Sequence, residues 1–524
     1  MSAAVGPPER PTTEGHMPAV VGPHHVPSPG LARRAPPQVL GFGFLILQLL
    51  GMAIFSVVQY GRWGMNNDFG AYSQAWSAIG HGAADPYVSL FRTDFLHNNL
   101  EFAMYPLALL GRLFPSPVML SLAQDAGLVA TEAVALLWIR DYLSGKQTAL
   151  GRAASPLFTA SALMLALNPW SWETAAFPLH FNVFATLFAC LAARDLWRGR
   201  YLRLGAWVPL ALVSEALGGL YLAVAGLGIT LARGTSRKGR AYGLGVTAVG
   251  ISTLAVVAGL GLVGRNGSTL TTAYRYLLPS AERHAGIATL LAGVLTHPGS
   301  AASMLGHHLT YVAGYVVAGG ILGVLNPWGA AGVLLVILPN ALSERLPFIA
   351  FPGAFQSWAA QPFLVVGSVM VFTTFVAALS SRGDREHRVP WLRRITAVVL
   401  TAMATLAALE LVSLPKRWLT DPATARELAV ADSRLPASAE VVADQNVIGR
   451  LAEAHPAYDY VNIRDRLPVV RSRVVLILGP GLDAQRRACQ NSWEDRFGTQ
   501  ALYTGRQIVV LSLVLTARTL QPCP

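Results

Sequence analysis

Gln38-Val-Leu-Gly-Phe-Gly-Phe-Leu-Ile-Leu-Gln48-Leu-Leu-Gly-Met-Ala-Ile-Phe-Ser56-Val-Val-Gln-Tyr60 carries no charge, and the chain then turns polar at Asn66-Asn-Asp68-Phe-Gly70. A helix over residues 38–60 is long enough to cross a hydrocarbon layer about 30 Å thick. Comparable apolar runs recur near 117–139, 155–171, 177–194, 204–217, 219–233, 242–264, 304–325, 328–343, 360–380 and 394–414. Charged residues make up 13% of the 524 residues and hydrophobic ones 53%, against about 25% charged in a soluble domain. The pattern predicts an α-helical polytopic membrane protein with about eleven transmembrane helices. Ser214-Glu215 interrupts the pair 204–217 and 219–233, where the span count is open.

The net charge of +12 is concentrated at Arg33-Arg34, Arg140 to Arg152, Arg194 to Arg203, Arg233 to Arg240 and Arg382 to Arg394. Basic clusters between apolar runs mark cytoplasmic loops. None has the interleaved aromatics of a single-strand binder, so no nucleic-acid partner is expected. The clusters agree on one topology, a multi-pass protein of the cell (plasma) membrane with a cytoplasmic N-terminus. It leaves 61–116, 168–176, 265–303, 344–359 and 415–524 outside. Residues 1–37, rich in Pro, Gly, Ala and His, read as a disordered cytoplasmic tail. His16, His24 and His25 within it lack the framework of a metal site. The first apolar run lies far from the N-terminus and has no clear small-residue cleavage site, so it reads as retained.

The multispanning domain occupies 38–414, with a long first outer loop at 61–116. Beyond it, β-rich runs at 440–444, 458–462, 473–479 and 507–512 alternate with helical segments near 446–454 and 482–494. They predict a small extracytoplasmic α/β domain over 415–524. Gly479-Pro480-Gly481 lacks the glycine spacing of a dinucleotide loop and reads as a turn. Cys489 and Cys523 leave open one disulfide in an oxidising compartment, while Cys190 reads as a packing residue in an apolar helix.

The first outer loop holds Asp68, Gln74, His81, Asp85, Asp94, His97, Asn98, Asn99 and Glu101. A carboxylate held partly out of water suits a general base. The alternative for Asp68 is an N-cap of the helical run Phe69 to Ile79, and both roles can coexist. His97 and Glu101, four residues apart, would share a face if helical. With Asp94 as the nearest third donor, they orient substrate or form hydrogen bonds more readily than they bind metal, and no divalent metal is indicated. The apolar piece Phe102 to Phe114 is too short to span and reads as re-entrant or interfacial. Glu173, His180, Glu215, His307, His308, Glu344, Arg345 and Gln356 gather near the outer ends of the helices, where ionisable groups face a cavity or a partner. Arg265, Arg275, Arg283 and Arg345 stand against the positive-inside bias and are candidates for an anionic group such as a lipid phosphate.

Four segments resemble the bacterial membrane proteins of domain of unknown function 2079. They are Asp68-Phe-Gly-Ala-Tyr-Ser-Gln74-Ala-Trp76; His97 with Pro106 and Gln124; Phe177-Pro-Leu-His180-Phe181; and Leu322-Gly-Val-Leu-Asn-Pro327 through Leu338-Pro339-Asn340-Ala-Leu-Ser343. That family is distantly similar to the GT-C glycosyltransferases. The resemblance implies a sugar taken from a polyprenyl-phosphate donor on the outer face, with inversion, and an envelope glycan, lipid or protein as acceptor. It makes Asp68 the catalytic base. Gln74, His97, Glu101, His180, Glu215, Arg345 and Gln356 become substrate-binding candidates, with an arginine on the phosphate and no cofactor beyond the lipid-linked sugar. The chain departs from the family pattern at Ser214-Glu215-Ala216, where a Lys-Glu-Asp-like motif is frequent, and at Gln356-Ser357-Trp358, where a His-Tyr pair is frequent.

Two other functions fit a polytopic chain. A transporter or flippase of a lipid or small solute would show paired repeats with midplane breaks, and no convincing repeat is visible. A non-enzymatic scaffold would place its function in residues 415–524.

Overall fold

A computed structural model describes residues 37–524 except 99, 151–152, 178, 260–272, 279–286, 345–355, 381–384, 460–466, 470–472, 480–483, 516–518 and 521–524. The chain is mostly helical. Among the described residues, four helices are long and apolar enough to cross a membrane: Pro37–Gly61, Val118–Ser144, Arg237–Gly259 and Trp358–Ala378. The shorter apolar helices Tyr201–Ser214, Gly218–Leu231, Leu309–Ala318 and Pro327–Ala341 occupy stretches read as full spans from sequence. Their shortness has local causes. Glu215 adopts an extended conformation (φ −159°, ψ 153°) and ends the helix Leu204–Ser214. Ahead of Pro339, which has no N–H for the helical ladder, residues Val333–Ile337 widen into a π-helical turn.

The helix Pro37–Gly61 (α1) turns Leu45, Gln48, Met52, Ser56 and Gln59 inward and leaves Ile46, Leu47, Leu50 and Ile54 exposed. A helix apolar on its exposed face has lipid as its natural surroundings. Val118–Ser144 is the central helix, packed by α1, Ala154–Ala166, Asn182–Trp197 and Gln361–Ser380. Gly218–Leu231 and Arg237–Gly259 approach so closely that a β-carbon on Gly219 would stand 2.4 Å from the Gly250 carbonyl oxygen. One on Gly226 would stand 2.5 Å from that of Gly243, and such small-residue seams let membrane helices pack backbone to backbone.

Two of the basic clusters meet at one end of this bundle. Asp141 Oδ2 accepts from Arg194 Nη2 at 2.7 Å and from Arg198 Nη1 at 2.6 Å. At the other end, Trp418 closes over Gly64, and the Thr420 hydroxyl donates to the Trp63 carbonyl at 3.1 Å.

The C-terminal residues form a five-stranded mixed sheet in the order Ala457–Asp459, Glu440–Ala443, Arg473–Leu478, Val509–Val514, Thr499–Thr504. The first three strands pair in parallel and the last two join antiparallel. The helix Pro422–Asp432 and the strand Thr499–Thr504 carry no distinct local signal in the sequence. Cys523 and the side chain of Cys489 lie outside the described residues, as does the turn after Gly479.

Phe69, Tyr72, Trp76, Leu90 and Phe95 of the first loop share one buried core with Leu428, Val441, Ile448, Leu451, Val475 and Val510. Continuous apolar packing of this kind joins the loop and the sheet.

Candidate functional site

The loop after α1 is set by its own polar residues. Trp63 takes a positive φ of 59°, and the Gln59 amide donates to the carbonyls of Gly64 at 3.0 Å and Ala176 at 2.8 Å. The helix Asn67–Gly80 (α2) then starts with Asn66 as its N-cap, whose side chain accepts from the Phe69 amide at 3.0 Å. The capping role expected of Asp68 therefore belongs to Asn66, because a side chain two residues further back reaches the free amides of the first turn. Asp68 lies inside that turn and is half-buried, where the positive end of the helix dipole favours the carboxylate.

One turn along, the Tyr72 hydroxyl donates to Glu101 Oε1 at 2.9 Å. The Tyr72 ring meets Phe91, Phe95 and Phe181 edge-on at 6.0, 6.1 and 5.5 Å between centroids. Burial and the nearby carboxylates of Glu101, Asp68 and Glu215 raise the Tyr72 phenol well above its ordinary range. Asp68 from one turn earlier on the same helix, Glu101 from the end of the loop and Glu215 from the break after Leu204–Ser214 thus lie near one tyrosine. Glu215 stands where two helices break, and its Oε2 is buried without a hydrogen-bond partner. An unsatisfied buried carboxyl oxygen is a costly feature and a mark of a functional position.

The other candidates are distributed differently. Gln74 donates to Ser89 Oγ at 2.9 Å and to the His455 carbonyl at 3.2 Å, and its Oε1 accepts from the Ser89 amide at 3.1 Å. That side chain ties α2 to the C-terminal residues. His97 and Glu101 do not share a helix face. Their helix, Phe95–Asn98, stops between them, leaving His97 exposed and Glu101 buried. His180 follows Leu179, whose φ is +50°, and its ring packs tilted by 32° against Phe177 with centroids 5.0 Å apart. Gln124 holds that turn: its amide donates to the carbonyls of Thr174 and Phe177 at 2.7 and 3.0 Å, and its Oε1 accepts from the His180 amide. Gln356 has a buried, unpartnered Oε1 and neighbours Ser357, which accepts from Asn340 Nδ2 at 2.8 Å. Arg345 lies outside the described residues, as do Arg265 and Arg283. The segment Phe102 to Phe114 contains the short helix Met104–Gly111, with Leu109, Leu110, Leu113 and Phe114 exposed as an interfacial helix would leave them. Among the described residues no group of three His, Cys, Asp or Glu side chains is placed to hold a metal.

Several residues of the region were not singled out from sequence. Arg417 bridges two buried carboxylates, Glu173 Oε2 at 2.6 Å and Glu410 Oε1, while Trp418 Nε1 donates to Glu173 Oε1 at 3.2 Å. Arg450 stands over the rings of Tyr60 and Trp63 at 4.7 and 4.3 Å, and the Tyr60 hydroxyl donates to Glu453 Oε2 at 2.9 Å. The basic pair Lys416-Arg417, just past the last apolar run, was the available signal for Arg417.

A family described as "Predicted membrane protein (DUF2079)" matches residues 66–465, a range that holds Asp68, Glu101, Glu215 and the helix around Arg450. No curated protein matches the chain. Among solved structures, the crystal structure of ArnT from Cupriavidus metallidurans in the apo state is similar at 12% identity with a TM-score of 0.47, over 90% of this chain and 98% of that one.

Proposed function

The chain belongs to the DUF2079 family of predicted membrane proteins, and on that premise we propose that it is an integral-membrane glycosyltransferase. It transfers a sugar from a polyprenyl-phosphate donor to an envelope acceptor. The observation that carries the reading is the convergence of Asp68, Glu101 and Glu215 on Tyr72, at the end of the bundle opposite the Asp141 cluster. In this reading that end faces outward. Asp68 takes the proton from the acceptor hydroxyl, the hydroxyl oxygen attacks the anomeric carbon, and the bond to phosphate breaks with its electron pair leaving on the lipid phosphate. Proximity and a base of suitable affinity are what such a displacement requires.

The roles divide by hydrogen bonding. Glu101 is engaged by the Tyr72 hydroxyl and acts as a fixed acceptor that positions the ring. Glu215 presents a free oxygen and is the natural acceptor for a sugar or acceptor hydroxyl. His180, Gln356 and Arg345 are the further substrate-binding candidates in this reading, with an arginine on the donor phosphate. The test is a deletion strain complemented with wild type, Asp68→Asn or Glu215→Gln. Loss of one envelope sugar modification with Asp68→Asn, at normal membrane insertion, supports the reading. An envelope glycan profile identical in the deletion strain and its parent refutes it.

A further inference from the structure

Between α1 and the central helix Val118–Ser144 runs a polar seam that the proposed transfer does not use. Asp125 and Glu132 lie in it, 0% and 1% exposed, and their spacing of seven residues puts them on one helix face two turns apart. Asp125 Oδ2 accepts from the Ser56 hydroxyl at 2.8 Å, and Glu132 Oε1 accepts from the Ser171 hydroxyl at 2.5 Å. The second oxygen of each carboxyl, Asp125 Oδ1 and Glu132 Oε2, is buried without a partner. Gln48 is 3% exposed and sets its amide beside the Glu132 carboxyl, and neither amide atom makes a hydrogen bond of standard geometry. Ser121, one turn before Asp125, also has an unpartnered buried hydroxyl.

The charged groups on the surrounding elements are engaged elsewhere. Arg140, Arg194 and Arg198 close on Asp141, and Arg417 closes on Glu173 and Glu410. Asp195 accepts from the Trp207 indole, Tyr60 donates to Glu453, and Cys190 is a buried free thiol. Among the described residues no cation forms an ion pair with Asp125 or Glu132. A carboxyl group buried at membrane depth without a cation favours its neutral form. Polar atoms left unpartnered in the same seam call for a small polar occupant.

We propose that this seam is an intramembrane proton-binding site, in which Asp125 and Glu132 are each held as the neutral acid and exchange protons along the polar atoms between α1 and the central helix. Each carboxylate takes one proton to give one carboxylic acid, and no other reactant is needed. The polar face of α1 continues from Ser56 to Gln59, whose amide reaches the carbonyls of Gly64 and Ala176 and whose Oε1 is unpartnered. The seam therefore ends beneath the loop that carries Asp68. The proposal does not depend on the glycosyl-transfer reading.

Infrared difference spectroscopy on the full chain in lipid nanodiscs tests it. At neutral pH, wild type minus Asp125→Asn and wild type minus Glu132→Gln should each contain a protonated carboxyl C=O band. That band should shift in deuterium oxide and give way to carboxylate bands as the pH is raised. Difference spectra with carboxylate bands alone at neutral pH would overturn the proposal. So would a protonated band that neither deuterium oxide nor alkali changes, or one that sodium chloride abolishes where choline chloride does not. Should either substitution prevent insertion, Asp125→Glu or Glu132→Asp takes its place: a shift in the frequency of a deuterium-sensitive protonated carboxyl band supports the site, and an unchanged protonated-carboxyl region overturns it.

Discussion

Gly449 lies directly against Asn66, the residue that caps the helix carrying Asp68. Its amide donates to the Met65 carbonyl at 3.2 Å, and a β-carbon on it would stand 2.6 Å from the Asn66 carbonyl oxygen. On the neighbouring turn a β-carbon on Gly70 would meet Ala452 at 2.9 Å. The helix Ile448–Leu451 thus presses on the first turn of α2, and the position of Asp68 depends on residues almost four hundred positions later.

Enlarging that contact should separate the two parts. Gly449→Val forces a branched side chain into the Met65 and Asn66 backbone, and overpacking of this kind costs about 1–3 kcal/mol. Hydrogen exchange of the α2 amides should accelerate while those of the distant helix Arg237–Gly259 stay protected, and the activity that depends on Asp68 should fall.

Tyr72→Phe removes the hydroxyl that donates to Glu101 and leaves a buried carboxylate oxygen short of a donor. Losing a buried hydrogen bond to a charged group costs about 1.5–3 kcal/mol. Thermal unfolding in detergent should show the loss, and Tyr72→Phe combined with Glu101→Gln should recover part of it.

Gln124→Leu deprives the turn before His180 of three hydrogen bonds at once. Three hydrogen bonds lost at about 0.5–1.5 kcal/mol each should cost about 1.5–4.5 kcal/mol in all. The midpoint of unfolding should drop accordingly, with a smaller change for Gln124→Glu, whose carboxyl keeps an acceptor for the His180 amide.

The contact between α1 and the C-terminal residues should weaken as pH rises. Burial raises the Glu453 carboxyl from 4.5 to about 7, with Tyr60 and Arg450 opposing that rise. Between those values the folded state holds a proton that the unfolded chain has released, so stability falls with increasing pH across the window. Below about 4.5 both states are protonated and the contribution is complete; above about 7 it is lost. Glu453→Gln should flatten this dependence, as read by exchange protection of the helix Ile448–Leu451 against pH.

An unbroken apolar run made α1 legible over 38–60, and the central helix stayed legible over 117–139 because Asp125 and Glu132 are the only charged residues in it. The broken helices were harder. Glu215 and Pro339 act on backbone hydrogen bonding, whereas hydropathy averages over the break. Asp68 stood out as a carboxylate after a span, but its cap proved to be Asn66, because an asparagine oxygen three residues before Phe69 reaches that amide. Gln74 is a substrate-binding candidate through the resemblance, and its amide holds Ser89 and the His455 carbonyl, a partner 381 positions away. No local pattern announces contacts at that distance. The shared core between the first loop and the sheet was hidden for the same reason, since each of its halves reads as ordinary amphipathic sequence.

The central claim is that Asp68 is the base for sugar transfer. Its most direct test is release of free polyprenyl phosphate from a polyprenyl-phosphate sugar in proteoliposomes holding the full chain and an envelope extract as acceptor. Wild type should release the lipid phosphate and transfer the sugar, while Asp68→Asn should bind the donor with similar affinity and lose about two or more orders of magnitude in rate, the usual contribution of a general base. Transfer by Asp68→Asn at the wild-type rate would contradict the account.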